Sequence, residues 1–168
     1  IKFGESTAIL AGNSLLTLAF EIIADKKFNI DTTVKLNLIK KLSECAGHVG
    51  IAGGQFLDLN YEKKKIGSKK IINMQRKKTG KLFEFCCLAP AIIAKKSIKT
   101  QKEMSKVGAE LGLLFQIADD LLDVKGNKKS TGKSVKKDKK KGKSTLIKLY
   151  GYEKTLGFAL DRKKTIIN

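Results

Sequence analysis

The residues Phe115-Gln116-Ile117-Ala118-Asp119-Asp120-Leu121-Leu122-Asp123 close an apolar run that begins near Met104, and the rest of the chain is read outward from them. At 3.6 residues per turn, Gln116, Asp119, Asp120 and Asp123 fall at i, i+3, i+4 and i+7. One amide and three carboxylates therefore share a narrow stripe. Leu111, Leu114, Phe115, Ala118, Leu121 and Leu122 cover much of the remaining circumference, which predicts that most of this helix is buried.

Three carboxylates on one face repel each other, and the open carbonyls of a helix C-terminus add to the strain. Something positive must compensate. A hard dication such as Mg²⁺ takes one or two carboxylates together with substrate phosphate oxygens and water. The alternative is a solvated acidic face paired with the many nearby lysines. A bare DDxxD does not separate the two readings; the apolar flanks and Gln116 lean toward a site.

The composition agrees with a helical protein. The 168 residues suit one domain with a real core. A single proline and frequent Leu, Ile, Ala and Lys favour helix, and no stretch alternates with period two. Net charge is +19, from 35 Lys+Arg against 16 Asp+Glu, which attracts phosphate. Only Arg76 and Arg162 are arginines, whereas nucleic-acid readers lean on arginine forks, so nucleic acid is not expected as a partner. Cys45, Cys86 and Cys87 have no metal spacing and read as small buried hydrophobes in a reducing cytosol. His48 is the one histidine, which argues against a zinc site or a His-based triad. Residues 8–24 come nearest to the roughly 20 apolar residues of a membrane span, but Asn13 and Glu21 interrupt them, so no transmembrane segment is expected.

Taken in order, the pattern predicts about six helices and no sheet. The first runs from Thr7 to Ala24, with Leu10, Leu15, Leu18 and Ile22 near helical spacing. Asp31, Thr32 or Thr33 caps a second, from Val34 to Tyr61. Gly47, Gly50, Gly53 and Gly54 lie inside it and allow close approach of a neighbour, with Gln55 and Asp58 placed to face a cavity. Ser68 caps a third helix, which Pro90 either kinks or follows as the first residue of the next short one. A fourth spans Thr100 to Val124. Residues 125–143 hold ten lysines and one acid, Asp138, and cannot form a core by themselves. Their place directly after three aspartates suits a loop that closes over an anion. Ser144 caps a short helix through Tyr150, and Tyr152 to Ile167 forms the last.

Together these pieces resemble the trans-isoprenyl diphosphate synthases, the family of the farnesyl and geranylgeranyl diphosphate synthases. Residues 115–123 look like that family's second aspartate-rich motif, FQIxDDxLD. Leu10-Ala11-Gly12-Asn13-Ser14-Leu15-Leu16 resembles its LAGDALL helix, with Asn13 where Asp is usual. Gly53-Gly54-Gln55-Phe56-Leu57-Asp58-Leu59 matches GGQxLDL, and Lys78-Thr79-Gly80 matches KTG. Gly132-Lys133, Asp138 and Gly142-Lys143-Ser144-Thr145 follow GKxxxxDxxxGKxT. Five motifs in order carry far more information than DDxxD alone.

The resemblance implies an all-α isoprenoid-synthase helical bundle with a deep cavity. It implies condensation of isopentenyl diphosphate with an allylic diphosphate, with Mg²⁺ as cofactor, in a cytoplasmic homodimer. Asp119 and Asp123 would hold the metal, with Asp120 in support. Lys78, Lys133 and Lys143 would neutralise charge growing on the leaving diphosphate. Thr79 and Gln116 would orient or stabilise the allylic cation, and Phe115 and Gln55 complete the substrate-binding set. The family's first aspartate-rich motif has no counterpart here, and the chain starts at Ile1. The expectation is therefore the C-terminal portion of one such domain, partial in its bundle and inactive alone. Two other readings are a non-catalytic subunit of a heteromeric synthase and a basic nucleic-acid-binding module.

Overall fold

The computed structural model describes residues 3–125 and 143–167, and each described element is a helix. In chain order these are α1 (Glu5–Ala24), α2 (Thr32–Ala46), α3 (Ile51–Asn60), α4 (Ser68–Gln75), a π turn (Arg76–Gly80), α5 (Lys81–Ile93), α6 (Ile98–Lys125), α7 (Leu146–Tyr150) and α8 (Tyr152–Ile167). The all-α expectation holds. Lys133 and Asp138 lie outside the described residues, as does most of the lysine-rich segment 125–143.

Local chemistry sets several boundaries. Asp31 is the residue that caps α2, its Oδ1 accepting from Thr33 N at 2.8 Å. Gly151, at φ +80°, turns the chain between α7 and α8 in a conformation that a side chain would strain.

Other boundaries differ from the sequence expectation. The helix foreseen from Val34 to Tyr61 is two helices, because the chain leaves helical geometry between Ala46 and Ile51. Gly47 and Gly50 bracket that break, each of them about 1 kcal/mol worse than Ala inside a helix. Gly67, not Ser68, holds the cap position of α4. Pro90 starts no new helix but lies inside α5, which runs on to Ile93. Thr145 rather than Ser144 caps α7, accepting from Lys148 N at 3.3 Å. The Ser144 hydroxyl lies instead 2.9 Å from Tyr61 O and 3.0 Å from Lys64 O, so it tethers the start of α7 to the end of α3.

The core comes in two parts. Ile71, Met74, Leu113, Ile117, Leu121 and Leu146 pack where α4, α6 and α7 meet, with Leu156 and Phe158 of α8 against them. Ile23, Leu38, Leu42, Leu88 and Ile92 join α1, α2 and α5. The most extensive packing is between α5 and α6. It depends on Gly108, where an added Cβ would stand 2.7 Å from Glu84 Cα.

Two burial expectations are corrected, the first for the cysteines: Cys45 is buried, but Cys86 is exposed and Cys87 half-buried. The second concerns the helix of the acidic stripe. Leu113, Ile117 and Leu121 of α6 are buried, but Leu111, Phe115, Ala118 and Leu122 are exposed, because the described helices pack against one side of α6 only. Leu10, Leu15, Leu18 and Ile22 of α1 are likewise exposed, and Ile23 is the residue that reaches the core. By length and composition α1 is apolar enough to cross a membrane, as are core helices of soluble proteins.

Candidate functional site

The site is built around the π turn. A π turn holds one residue more than the α-helical turn it replaces, and such insertions often mark functional positions. Here Arg76–Gly80 interrupts what is otherwise one helical run from Ser68 to Ile93, and it carries Lys78 and Thr79. Two helices fix it in place. α3 approaches so closely that a Cβ on Gly54 would lie 2.2 Å from Lys78 N, so only glycine fits there. α6 lies against the other side, through Gly112 at Gly80.

These contacts frame a polar cavity of about 200 Å³, lined chiefly by Asp58, Gln75, Lys78, Gln116, Asp119, Asp120 and Lys143. One wall is an ion-pair cluster. Asp58 is 4% exposed, and its Oδ2 accepts from Lys78 Nζ at 2.5 Å and from Lys143 Nζ. Burial pushes the Asp58 carboxyl pKa up, but hydrogen bonds from Lys143 and Lys78 outweigh it and hold it below the ordinary 3.8.

The other wall is a chain of hydrogen bonds. Thr79 Oγ1 donates to Gln116 Oε1 at 2.9 Å, and Gln116 Nε2 donates to Asp120 Oδ1 at 2.9 Å. Gln75 Nε2 donates to the second oxygen, Asp120 Oδ2, also at 2.9 Å. Asp120 is buried and held from two helices, whereas Asp119 is exposed at the cavity lining.

The residues singled out in the sequence divide clearly. Lys78, Gln116, Asp119, Asp120 and Lys143 line one cavity, and Thr79 reaches it through Gln116. Phe115 stacks at a tilt on Phe83, ring centroids 5.3 Å apart, on the exposed side of α6. Gln55 is exposed, and Asp123 is half-buried; neither lines the cavity. Gln75 was missed. Ile71, Met74, Gln75 and Lys78 stand at i, i+3, i+4 and i+7, the first three buried and Lys78 half-buried, a stripe whose polar half is a signal the basic surroundings obscure.

The donor set suits magnesium in part. Among the described residues no three acids cluster closely enough to hold an ion by themselves. Asp119 and Asp120 side by side in a lysine-lined cavity match the need of Mg²⁺ for one or two carboxylates, with phosphate oxygens and water supplying the rest.

An all-helical bundle with three aspartates and two lysines around one polar cavity has the isoprenyl synthase fold. The chain belongs to the polyprenyl synthetase family, whose model matches residues 1–165. It is 37% identical over 163 residues to the farnesyl diphosphate synthase of Geobacillus stearothermophilus, covering 95% of this chain and 55% of that protein. To the geranylgeranyl diphosphate synthase of Cyanophora paradoxa it is 34% identical, covering 93% of this chain and 52% of that one. The structure of a geranyltransferase from Helicobacter pylori, complexed with magnesium and isoprenyl diphosphate, superposes with a TM-score of 0.88. That match has 28% identity and covers 99% of this chain and 54% of the other. The chain thus spans about half the length of the curated relatives it matches.

Proposed function

We propose that this chain forms one wall of a magnesium-dependent prenyltransferase site that joins isopentenyl diphosphate to an allylic diphosphate. One observation carries the reading: Lys78 and Lys143 converge on the cavity that Asp119 and Asp120 also line. The ligands in the structure of the Helicobacter pylori relative, magnesium and isoprenyl diphosphate, support it.

Asp119, with Asp120 behind it, would hold magnesium, which on binding draws electrons from the leaving diphosphate. The chain's own part is positional. Lys78 and Lys143 neutralise the charge that grows on the diphosphate oxygens as the allylic carbon–oxygen bond breaks. Asp58 holds both ammonium groups in register until the substrate competes for them. Thr79 and Gln116, joined by a hydrogen bond, present oxygens near the allylic cation. Attack by the double bond of isopentenyl diphosphate forms the new carbon–carbon bond, and a proton then leaves to pyrophosphate. Lys133, in the segment outside the described residues, is assigned a charge-neutralising role on the family motif alone.

The same reading takes the working protein as a homodimer in the cytoplasm. The exposed apolar side chains of α1 suit burial against a second copy, and the three free cysteines suit a reducing compartment. Prenyl transfer needs a second metal-binding wall beyond the single aspartate-rich motif of these 168 residues, so turnover by them alone should be slight. The test is Asp119→Ala in the full-length protein, where kcat should fall on the order of a hundredfold or more. An unchanged kcat with magnesium present rejects the assignment.

A further inference from the structure

Gln75 ends α4, and only 2% of it is exposed. Its Nε2 donates to Asp120 Oδ2 across 45 residues of chain, while Gln116 Nε2 takes Oδ1 from one turn earlier in α6. Each carboxylate oxygen thus has an amide donor from a different helix, which fixes both the place of the group and the rotation of its plane. The two amides do this without adding a charge of their own.

The other end of the same side chain is unsettled. Gln75 Oε1 is buried and has no hydrogen-bonding partner among the described residues. Buried polar atoms are almost always paired, so an orphan calls for a cause. Turning the amide over gives no relief, because Oε1 would then face Asp120 acceptor to acceptor. Gln75 lines the cavity, so a donor brought in by a ligand can complete it. Ionised diphosphate oxygens only accept hydrogen bonds. A water molecule bound to a dication donates, and donates strongly.

We infer that Gln75 is a positioning residue for the metal: it orients Asp120 through Nε2 and accepts, through Oε1, a hydrogen bond from water on the bound dication. The inference rests on the proposed placing of magnesium at Asp119 and Asp120. Groups that orient a metal's surroundings in this way typically change affinity 10- to 100-fold when removed.

The experiment measures Mn²⁺ binding to the full chain, in the presence of inorganic pyrophosphate, by the loss of the free-ion paramagnetic resonance signal. Gln75→Met keeps the shape and deletes both amide ends; it should weaken Mn²⁺ binding about tenfold. Its binding of pyrophosphate in a metal chelator should match the wild type, as should its melting temperature. Gln75→Asn, too short to reach Asp120, should behave the same way and serves if the Met variant does not fold. Asp119→Ala separates the two layers of the argument. Mn²⁺ binding abolished in Asp119→Ala but unchanged in both Gln75 variants overturns the role of Gln75 alone. Wild-type protein that binds no Mn²⁺, or Asp119→Ala that binds it normally, overturns the metal placement and this inference with it. Weaker pyrophosphate binding without metal in the Gln75 variants would show a general structural role and also overturn it.

Discussion

Lys143 and Asp58, 85 residues apart in sequence, meet as an ion pair on the wall of the cavity, and Lys78 shares the same carboxylate oxygen. Three separate segments are thereby tied at one buried atom: α3, the π turn and the residue that precedes α7. Removing the acid leaves two half-buried ammonium groups facing each other, so the cost exceeds that of one lost hydrogen bond.

Asp58→Ala should therefore destabilise the chain by about 3 kcal/mol, the low end for a broken buried pair because both lysines can partly reach water. Urea unfolding of the variant and wild type measures it. A loss below about 1 kcal/mol, the usual value of a surface pair, would mean the cluster does not hold the three segments together.

The same carboxyl gives a pH dependence of fixed sign. Its native pKa lies below the ordinary 3.8 because Lys143 and Lys78 hydrogen-bond its charged form more strongly than burial opposes it. A depressed acid contributes stability that is complete above its unfolded pKa and is lost as pH falls through the native one. Asp31, capping α2, is lowered too, chiefly by the backbone N–H of Thr33, so the acid limb has more than one source. Comparison isolates Asp58: stability of Asp58→Asn should fall less steeply than wild type below about pH 4. Parallel acid limbs for the two proteins would contradict the depressed pKa.

Some of this was open to reading in the sequence, and some was not, for physical reasons. The 3.6-residue stripe of residues 116–123 depends on local spacing, so α6 and its acids could be placed before any fold was known. The same holds for the cap at Asp31 and the last helix, whereas the meeting of Lys78, Lys143 and Asp119 was expected only from the resemblance to family motifs. The π turn is different. Nothing in Arg76-Lys77-Lys78-Thr79-Gly80 favours a wide turn locally, and it exists where α3 and α6 press on it through Gly54 and Gly112. Gln75 was hidden because its partner lies 45 residues away. Exposure of the apolar sides of α1 and α6 is equally unreadable, since helical periodicity shows that a face is apolar but not what covers it.

A third measurement concerns the chain's only two arginines. Arg76, at the start of the π turn, and Arg162, in α8, both donate to Glu110 of α6, the latter at 2.7 Å. Each oxygen of Glu110 serves one guanidinium, so the carboxylate bridges the π turn to α8. All three groups are partly exposed, which screens the pairs, and Glu110→Ala should cost about 1–2 kcal/mol. Arg76→Ala and Arg162→Ala should each cost less in the Glu110→Ala background than in wild type, which a double-mutant cycle reads directly. Fully additive losses would show that the bridge contributes nothing.

The close approach of α3 to the π turn gives the sharpest prediction, because it opposes two glycines of the same chain. A methyl group at Gly54 would sit 2.2 Å from Lys78 N and 2.5 Å from Lys78 Cα, both backbone atoms that cannot swing aside. α3 would have to retreat, and Asp58, one turn further along it, would retreat from Lys78 as well. Gly54→Ala should therefore cost about 1–3 kcal/mol from overpacking, despite the better helix propensity of alanine. Gly12, in the middle of α1, has nothing within 4 Å of an added Cβ. There the propensity term acts alone, and Gly12→Ala should stabilise by up to about 1 kcal/mol. Thermal unfolding of the two variants beside wild type reads both signs in one experiment. If both substitutions shift the midpoint in the same direction, the tight seat of α3 on the π turn is wrong, and with it the placing of Lys78 against Asp58.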